Sequence, residues 1–358
     1  MYKIKLYENI LNELNINKNL RFLKRSKNLN IWNSLLEESN YIPYLYTNSS
    51  FKYQEEYRRI YITNYTDLSS IINFNGENIG LLPLAICQIG GKWIIFSQSY
   101  FNGQEEPPPL NNPIFINVSE KIRKKVSFNI LKIINQLSQI LEIKELCSTD
   151  NFNGTQTLSS WHLSLMNFGF KSSILYELCI DLSQDINTIK SKFRKSYKSL
   201  IKEEKYNLKT LVMKKSELEV WSEFKKMHFV SAGRMTRSDD SWEIHLEDII
   251  NDCGLLIYVR DSLGVFLGGG FFNYTRDEAI YAVAAYDRNS FHLPIGHLVQ
   301  FKAIKELKKK GIKWYKIGHL PFEGDELTPS KKYSNIGKFK KGFATDIFPK
   351  YIFKKNNI

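Results

Sequence analysis

Residues 255–318 decide the fold: LLIYVRDSLGVFLGGGFFNYTRDEAIYAVAAYDRN (255–289), SFHLPIGHLVQFKAIKELKKKG (290–311) and IKWYKIG (312–318). LLIYV and VFLGGGFF are apolar, β-prone runs joined at Arg260–Gly264, a polar turn closed by glycine. Thr275–Glu278 is a second polar turn and AIYAVAAY a third strand, so the pattern predicts a three-stranded antiparallel meander. Ile295, Leu298, Val299, Ala303, Ile304 and Leu307 then recur at helical spacing, and Gly311 stops that helix. IKWYKIG returns as a strand, and a strand–helix–strand return predicts a parallel, right-handed crossover.

Working outward, 358 residues suffice for two domains with a core each, and 43% hydrophobic with 24% charged residues is a globular composition. Lys+Arg of 50 against Asp+Glu of 37 leaves a net charge of +13. Such an excess suits nucleic acid, a phosphate-bearing donor or an anionic membrane face; the other explanation is a composition rich in Lys, Asn and Ile throughout. Cys87, Cys147, Cys179 and Cys253 lie far apart without metal-ligand spacing and read as reduced thiols. The N-terminal MYKIKLYENILNELN has no apolar core or cleavage site of a signal peptide, and no apolar run reaches the ~20 residues of a membrane span. The expectation is a cytoplasmic protein, with peripheral contact at the inner membrane face left open.

The first forty residues read as helical, with Ile31, Trp32, Leu35 and Leu36 on one face. RRIYITNY, SSIINFN, IGLLPLAICQI and KWIIFS read as strands, and QSYFNGQEEPPPLNNP is a loop whose prolines exclude regular structure. Ser119 is a plausible N-cap for a long helix over 120–141, followed by a strand at IKELCST, a helix at LSSWHLSLMNFGF and a strand at ILYELCIDL. Meander, helix 120–141 and IKELCST repeat the element order of 255–318, which predicts one fold duplicated. The fold class expected is therefore α/β (α+β), with two similar domains, 1–175 and 176–358, each a mixed, mostly antiparallel sheet flanked by helices.

Residues 183–206 read as one helix with Phe193, Tyr197, Leu200 and Ile201 on its apolar face. Lys192, Arg194, Lys195, Lys198, Lys202 and Lys205 then form either a solvated face or a phosphate-reading one. Two more helices follow, around 217–230 and 241–251. In the link between them, Arg234 and Arg237 can fork onto phosphate or carboxylate, or cap the next helix.

On these residues the chain resembles the FemABX-like branch of the GNAT superfamily. WHLSLMNFGFKSS with YELCIDLSQDINTIKSKFRKSYKSLIKE is similar to the family's bridge between halves. FVSAGRMTRSDDSWEIHLEDII is similar to its Arg-containing loop and helix, and 282–318 to its core strand, helix and strand. SNIGKFKKGFATD is similar to its C-terminal FKxGF signature. The resemblance implies two GNAT-like halves and transfer of an acyl or aminoacyl group to an amine. It carries the signature's transfer-site pair onto Phe339 and Lys340, where a fixed cation would stabilise a tetrahedral oxyanion. Lys338 and Lys341 flank that pair and are candidates for donor phosphates. Where CoA-dependent members carry a pyrophosphate loop, this chain has Leu293–Leu298, which keeps only the central glycine, Gly296. A helical-hairpin insertion of the kind some members use against tRNA is not apparent.

In such folds the donor lies where the last meander strand and the returning strand part, here Ala279–Asp287 and Ile312–His319. Tyr286, Asp287, His319, Glu323, Asp325 and Glu326 are the polar groups expected near that cleft. His319 has a near-neutral reference pKa, suited either to taking an amine proton or to a structural hydrogen bond. Asp287, Glu323 and Asp325 are candidates for the acceptor amine. Gly268–Gly270 lack the order of a dinucleotide loop and instead suggest a bulge or close approach; no GxSxG elbow is present. The expected enzyme is an N-acyltransferase without tightly bound cofactor or metal, with acyl-CoA or aminoacyl-tRNA as co-substrate. Its acceptor would be an amino-sugar, glycan precursor or peptide of cell-envelope or surface-polysaccharide synthesis. The rival is a noncatalytic RNA- or envelope-binding protein on the same scaffold.

Overall fold

The computed structural model describes residues 19–60, 62–97, 109–150, 157–325 and 329–356. The helical pattern before residue 19, most of the proline-rich loop and Glu326 lie outside them. The chain divides into two compact units, one of residues 1–54, 58–174 and 350–358, the other of 55–57 and 175–349.

In the first unit, β1 (Leu20–Lys24), β3 (Ser70–Phe74), β4 (Glu77–Leu82) and β8 (Ile114–Phe115) form one antiparallel sheet. A second joins β2 (Thr63–Asp67), β5 (Ala85–Ile89) and β6 (Lys92–Phe96). β7 (Leu110–Asn111) runs parallel to β9 (Glu145–Thr149), which pairs antiparallel with Ile352–Asn356 of β16 (Asp346–Asn356). Four differences from the sequence reading are local. Residues 20–24 are strand, because their backbone pairs with β3. Helix α1 (Leu29–Glu38) buries Trp32, Leu35 and Leu36 but exposes Ile31. Helix α2 (Asn48–Arg58) occupies the start of the expected strand RRIYITNY, which begins only at Thr63. Pro83 divides IGLLPLAICQI into β4 and β5, since proline offers no amide to a ladder. The long helix α3 (Glu120–Ile140) starts at Ser119, whose side chain accepts the Ile122 N–H, and buries Val126, Ile130, Ile134 and Leu137. Trp161 and Leu165 of α4 (Ser160–Asn167) join that core.

In the second unit the sheet runs β11 (Lys209–Val212), β12 (Gly254–Arg260), β13 (Phe266–Tyr274), β14 (Glu278–Tyr286), β15 (Trp314–His319) and β10 (Lys171–Asp181). The meander β12–β13–β14 is antiparallel, and β15 returns parallel to β14, as the pattern of 255–318 predicts. Between β10 and β11 lie α5 (Ile186–Lys192) and α6 (Tyr197–Leu200); between β11 and β12 lie α7 (Leu218–Ala232) and α8 (Asp239–Ile250). The crossover helix, α9 (Ile295–Lys309), packs on the face bearing Ile257, Phe272 and Tyr315. Alternate positions, Leu256, Phe271 and Val283, face α7 and α8, the period-two pattern of a sheet buried on both sides.

Residues 183–206 are not one helix. α5 starts at Asp185, whose carboxylate accepts the Asn187 and Thr188 N–H groups, and stops at Phe193, whose backbone is extended. Phe193 packs edge-on against Phe301 and Phe343, and the Arg194 N–H donates to Gly342 O at 2.9 Å. These tertiary partners outweigh continuation of the helix. The signature SNIGKFKKGF is helical as far as Lys341, within α10 (Lys331–Lys341).

Candidate functional site

β14 and β15 pair at only three positions, Glu278–Ile280 with Trp314–Lys316. Beyond them β14 stays with β13 while β15 leaves for β10, where Gly318 faces Leu178 and His319 faces Glu177. Two bulges mark the parting, with Ala282 unopposed between Phe271 and Phe272 and Ile317 unopposed between Leu178 and Cys179. The first has a chemical result. Tyr281 and Tyr286 are five apart, which in a regular strand sends them to opposite faces, yet their hydroxyls are 2.7 Å apart. Burial pushes the Tyr281 phenol up to about 12 and Tyr286 well above its ordinary value. Tyr315 donates to Gln300 Oε1 at 2.5 Å beside them.

Lys340 enters this opening from the last turn of α10. Its ammonium lies 5.7 Å from the centre of the Tyr281 ring, and its stem lies over Gly318. Gly318 has φ +137°, and a Cβ there would stand 2.4 Å from Lys340 Nζ, so this position requires glycine. Lys340 has no carboxylate within ion-pair distance among the described residues. Burial alone lowers its pKa to about 8.

The segment around α6 fixes α10. Arg194 donates to Lys338 O at 3.0 Å, the Tyr197 hydroxyl donates to Phe339 O at 3.2 Å, and Gly342 lies against the Tyr197 ring. Carbonyls of the last helical turn thus receive side-chain donors from another element. Phe339 and Phe343 complete an aromatic cluster with Tyr197 and His297. Burial, reinforced by Arg194, lowers His297 to about 4, which makes it a neutral packing residue.

Of the sequence candidates, Lys340, Phe339, Tyr286 and Gly296 come together. A side chain on Gly296 would stand 3.4 Å from the Phe339 ring and 3.8 Å from Tyr286, so the first turn of α9 is covered by these rings. His319 is half-buried at the end of β15, its carbonyl beside Gly337 of α10. Asp287 is engaged as a cap, accepting from the Asn289 N–H and from Ser290 Oγ at 2.6 Å. Asp325 accepts the Phe322 N–H at 2.8 Å, and Glu323 is exposed. Lys195, Lys198, Lys338 and Lys341 are exposed, whereas Arg194 serves α10 as described. Arg234 and Arg237 do not join the cluster; they line a cavity of about 360 Å³ beside α7 and α8, on the opposite face of the sheet. There Arg237 is buried over the rings of Trp242, 4.9 Å, and Tyr57, 5.4 Å. The glycines of β13 accommodate the chain's own groups, since a Cβ on Gly270 would meet Tyr281 and Val299 at 2.9 Å.

Sequence reading missed Tyr281, Gly318 and Tyr197 as site-forming residues. The double spacing of AIYAVAAY hid Tyr281, because the bulge that turns its face is set by pairing. Beneath the opening, Lys316 and Glu278 form a buried ion pair at 2.7 Å. Burial pulls Lys316 down, but Glu278 and Glu177 outweigh it and hold the ammonium above its ordinary value.

With strand order, parting strands and crossover helix in place, the class is defined: the chain has the tandem GNAT-like fold, two mixed α/β halves with mostly antiparallel sheets. It superimposes on a solved structure of FemX with a TM-score of 0.64 at 12% identity, covering 92% of this chain and 96% of that one. L-PGS from Bacillus licheniformis gives 0.57 at 11% identity, with 92% of each chain covered. A tandem GNAT protein from the clavulanic acid biosynthesis pathway gives 0.50 at 8% identity, over 94% of this chain and 98% of that one. No family model and no curated protein matches the sequence. The fold expected from the FemABX-like resemblance is the one observed.

Proposed function

We propose that the chain is an acyltransferase that forms an amide, moving an acyl or aminoacyl group from a thioester or ester donor to an amine. The observation that carries this reading is Lys340, held without a carboxylate partner among the described residues in the opening between β14 and β15. Attack of a neutral amine on the donor carbonyl places negative charge on its oxygen. A fixed ammonium in a partly dehydrated site stabilises that charge with little reorganisation. The amine proton leaves to His319 or solvent, and the thiolate or ribose oxygen departs as the carbonyl re-forms.

The donor is an acyl-CoA or an aminoacyl-tRNA. The net charge of +13, and the cover that Phe339 and Tyr286 place on the first turn of α9, weigh for the tRNA ester. Lys338, Lys341, Lys195 and Lys198 then receive phosphates. The acceptor is an amino-sugar, glycan precursor or peptide of envelope or surface-polysaccharide synthesis, met on the cytoplasmic side; FemX and L-PGS share the fold.

The deciding experiment measures equilibrium binding of charged tRNA across a salt series with acetyl-CoA competing, followed by transfer to a panel of amines. Tight binding at about 0.15 M salt with a steep negative log–log slope supports the tRNA donor. That support requires the slope to fall when Lys338, Lys340 and Lys341 are neutralised. Saturable acetyl-CoA binding without tRNA binding assigns the thioester. Transfer from neither donor to any amine overturns the reading in favour of a noncatalytic binding protein.

A further inference from the structure

Helix α7 ends at Gly233, whose left-handed backbone (φ +68°) lets its N–H close on Phe229 O at 3.0 Å. Around that end stand three large apolar side chains open to solvent: Phe229 is 56%, Val230 65% and Met235 67% exposed. Three such exposed groups fall within residues 229–235, and Phe229 and Met235 share one cavity wall; large apolar side chains clustered at a surface mark a place that something covers. Cations surround it. Lys226 and Arg234 are exposed and have no ion-pair partner among the described residues, while Lys225 pairs with Asp239 at 2.9 Å. Lys225, Lys226, Arg234 and Arg237 share the wall of the 360 Å³ cavity, where Asp239 is the carboxylate present.

The patch is tied to the end of β14. Ser231 Oγ donates to Tyr286 O at 3.0 Å, and Arg288, from the next turn, donates to Ser231 O. Arg288 is exposed and is followed by Phe291, 66% exposed. Exposed apolar groups with cations around them therefore sit next to the strand that carries Tyr286.

We propose that this surface docks on an anionic phospholipid bilayer, with Phe229, Val230 and Met235 entering the headgroup–acyl boundary and Lys226, Arg234 and Arg288 meeting lipid phosphates. The pairing of chemistries selects a bilayer. An RNA backbone would satisfy the cations but leave Val230 and Met235 in water, whereas an interfacial site takes both. No helix among the described residues is long and apolar enough to cross a membrane. Docking itself does not depend on the transfer reaction.

The test is sedimentation of the full chain with vesicles of phosphatidylcholine alone and of phosphatidylcholine mixed with phosphatidylglycerol. The variants are Phe229→Ser/Val230→Ser/Met235→Ser and Lys226→Glu/Arg234→Glu. The expected result is partition onto the anionic vesicles only, reduced at least about tenfold by either variant with an unchanged thermal midpoint. The inference is overturned if the wild type stays in the supernatant. It is also overturned if the triple serine variant partitions as well as the wild type, since charge alone then explains binding and an RNA partner becomes the better reading. Lys340→Ala separates the two proposals, because loss of transfer with vesicle binding intact leaves docking standing while testing the chemistry. A serine variant that transfers normally to a water-soluble amine but no longer binds vesicles confines the effect to docking.

Discussion

At the residue scale the proposed chemistry turns on one ammonium. Lys340 is titratable because burial brings it down to about 8 from an ordinary value near 10.5. The cation is present below that pH and lost above it, so transfer that depends on it falls as pH rises through about 8. Lys340→Arg keeps a charge at all working pH and should remove that alkaline limb from the kcat/KM profile. Lys340→Ala should lower kcat by about 10²–10³, the effect of deleting one oxyanion donor. The same burial opposes folding of the charged form. Lys340→Met should therefore raise Tm at neutral pH, a gain fully present below about pH 8 and disappearing as pH climbs towards the unfolded-state value. Gly318 is the other decisive residue. Gly318→Ala introduces a strained positive φ beneath the Lys340 stem, and a stability loss of about 1–3 kcal/mol should accompany loss of transfer, read by urea denaturation and assay together.

At the element scale, α10 is held at its C-terminal end by groups 142–144 positions away in the chain, Arg194 on Lys338 O and Tyr197 on Phe339 O. Each hydrogen bond contributes about 1 kcal/mol. Tyr197→Phe should thus cost a few degrees of Tm while lowering kcat more than it raises KM, because the freed helix end carries Lys340. A purely structural role would move Tm alone. The strands beneath depend on a buried charge pair. Glu278→Gln removes the Lys316 ion pair and leaves its buried ammonium only the Glu177 charge, and should destabilise by about 3 kcal/mol, seen as a lower urea midpoint. This element-scale support was only partly legible in the sequence. The meander and crossover were, since their signals are periodicity and turn residues. The breaking of 183–206 at Phe193 was not, because Phe301, Phe343 and Gly342 draw that segment out of helix across long separations.

At the scale of the whole molecule, a charge of +13 predicts low-salt binding to any polyanion, including heparin, with a steep loss of affinity as salt rises. Only binding that survives about 0.15 M salt would mark a specific partner, and comparing heparin with tRNA across that range separates the two. The chain makes two compact units, and residues 350–358 belong to the first of them although 175–349 form the second. Nothing local in DIFPKYIFKKN foretells that membership, because a strand's partner is chosen by edge and register. The sequence by itself determined what short-range chemistry can encode: strand and helix types, the order β12–β13–β14–α9–β15, the capped start of α3 and the presence of an FKKGF segment. Tertiary structure alone decided that this segment is helical, that Tyr281 and Tyr286 meet, and that Lys340 stands half-buried between parting strands. The physical reason is that bulges and desolvation arise from pairing and packing between residues far apart in the chain.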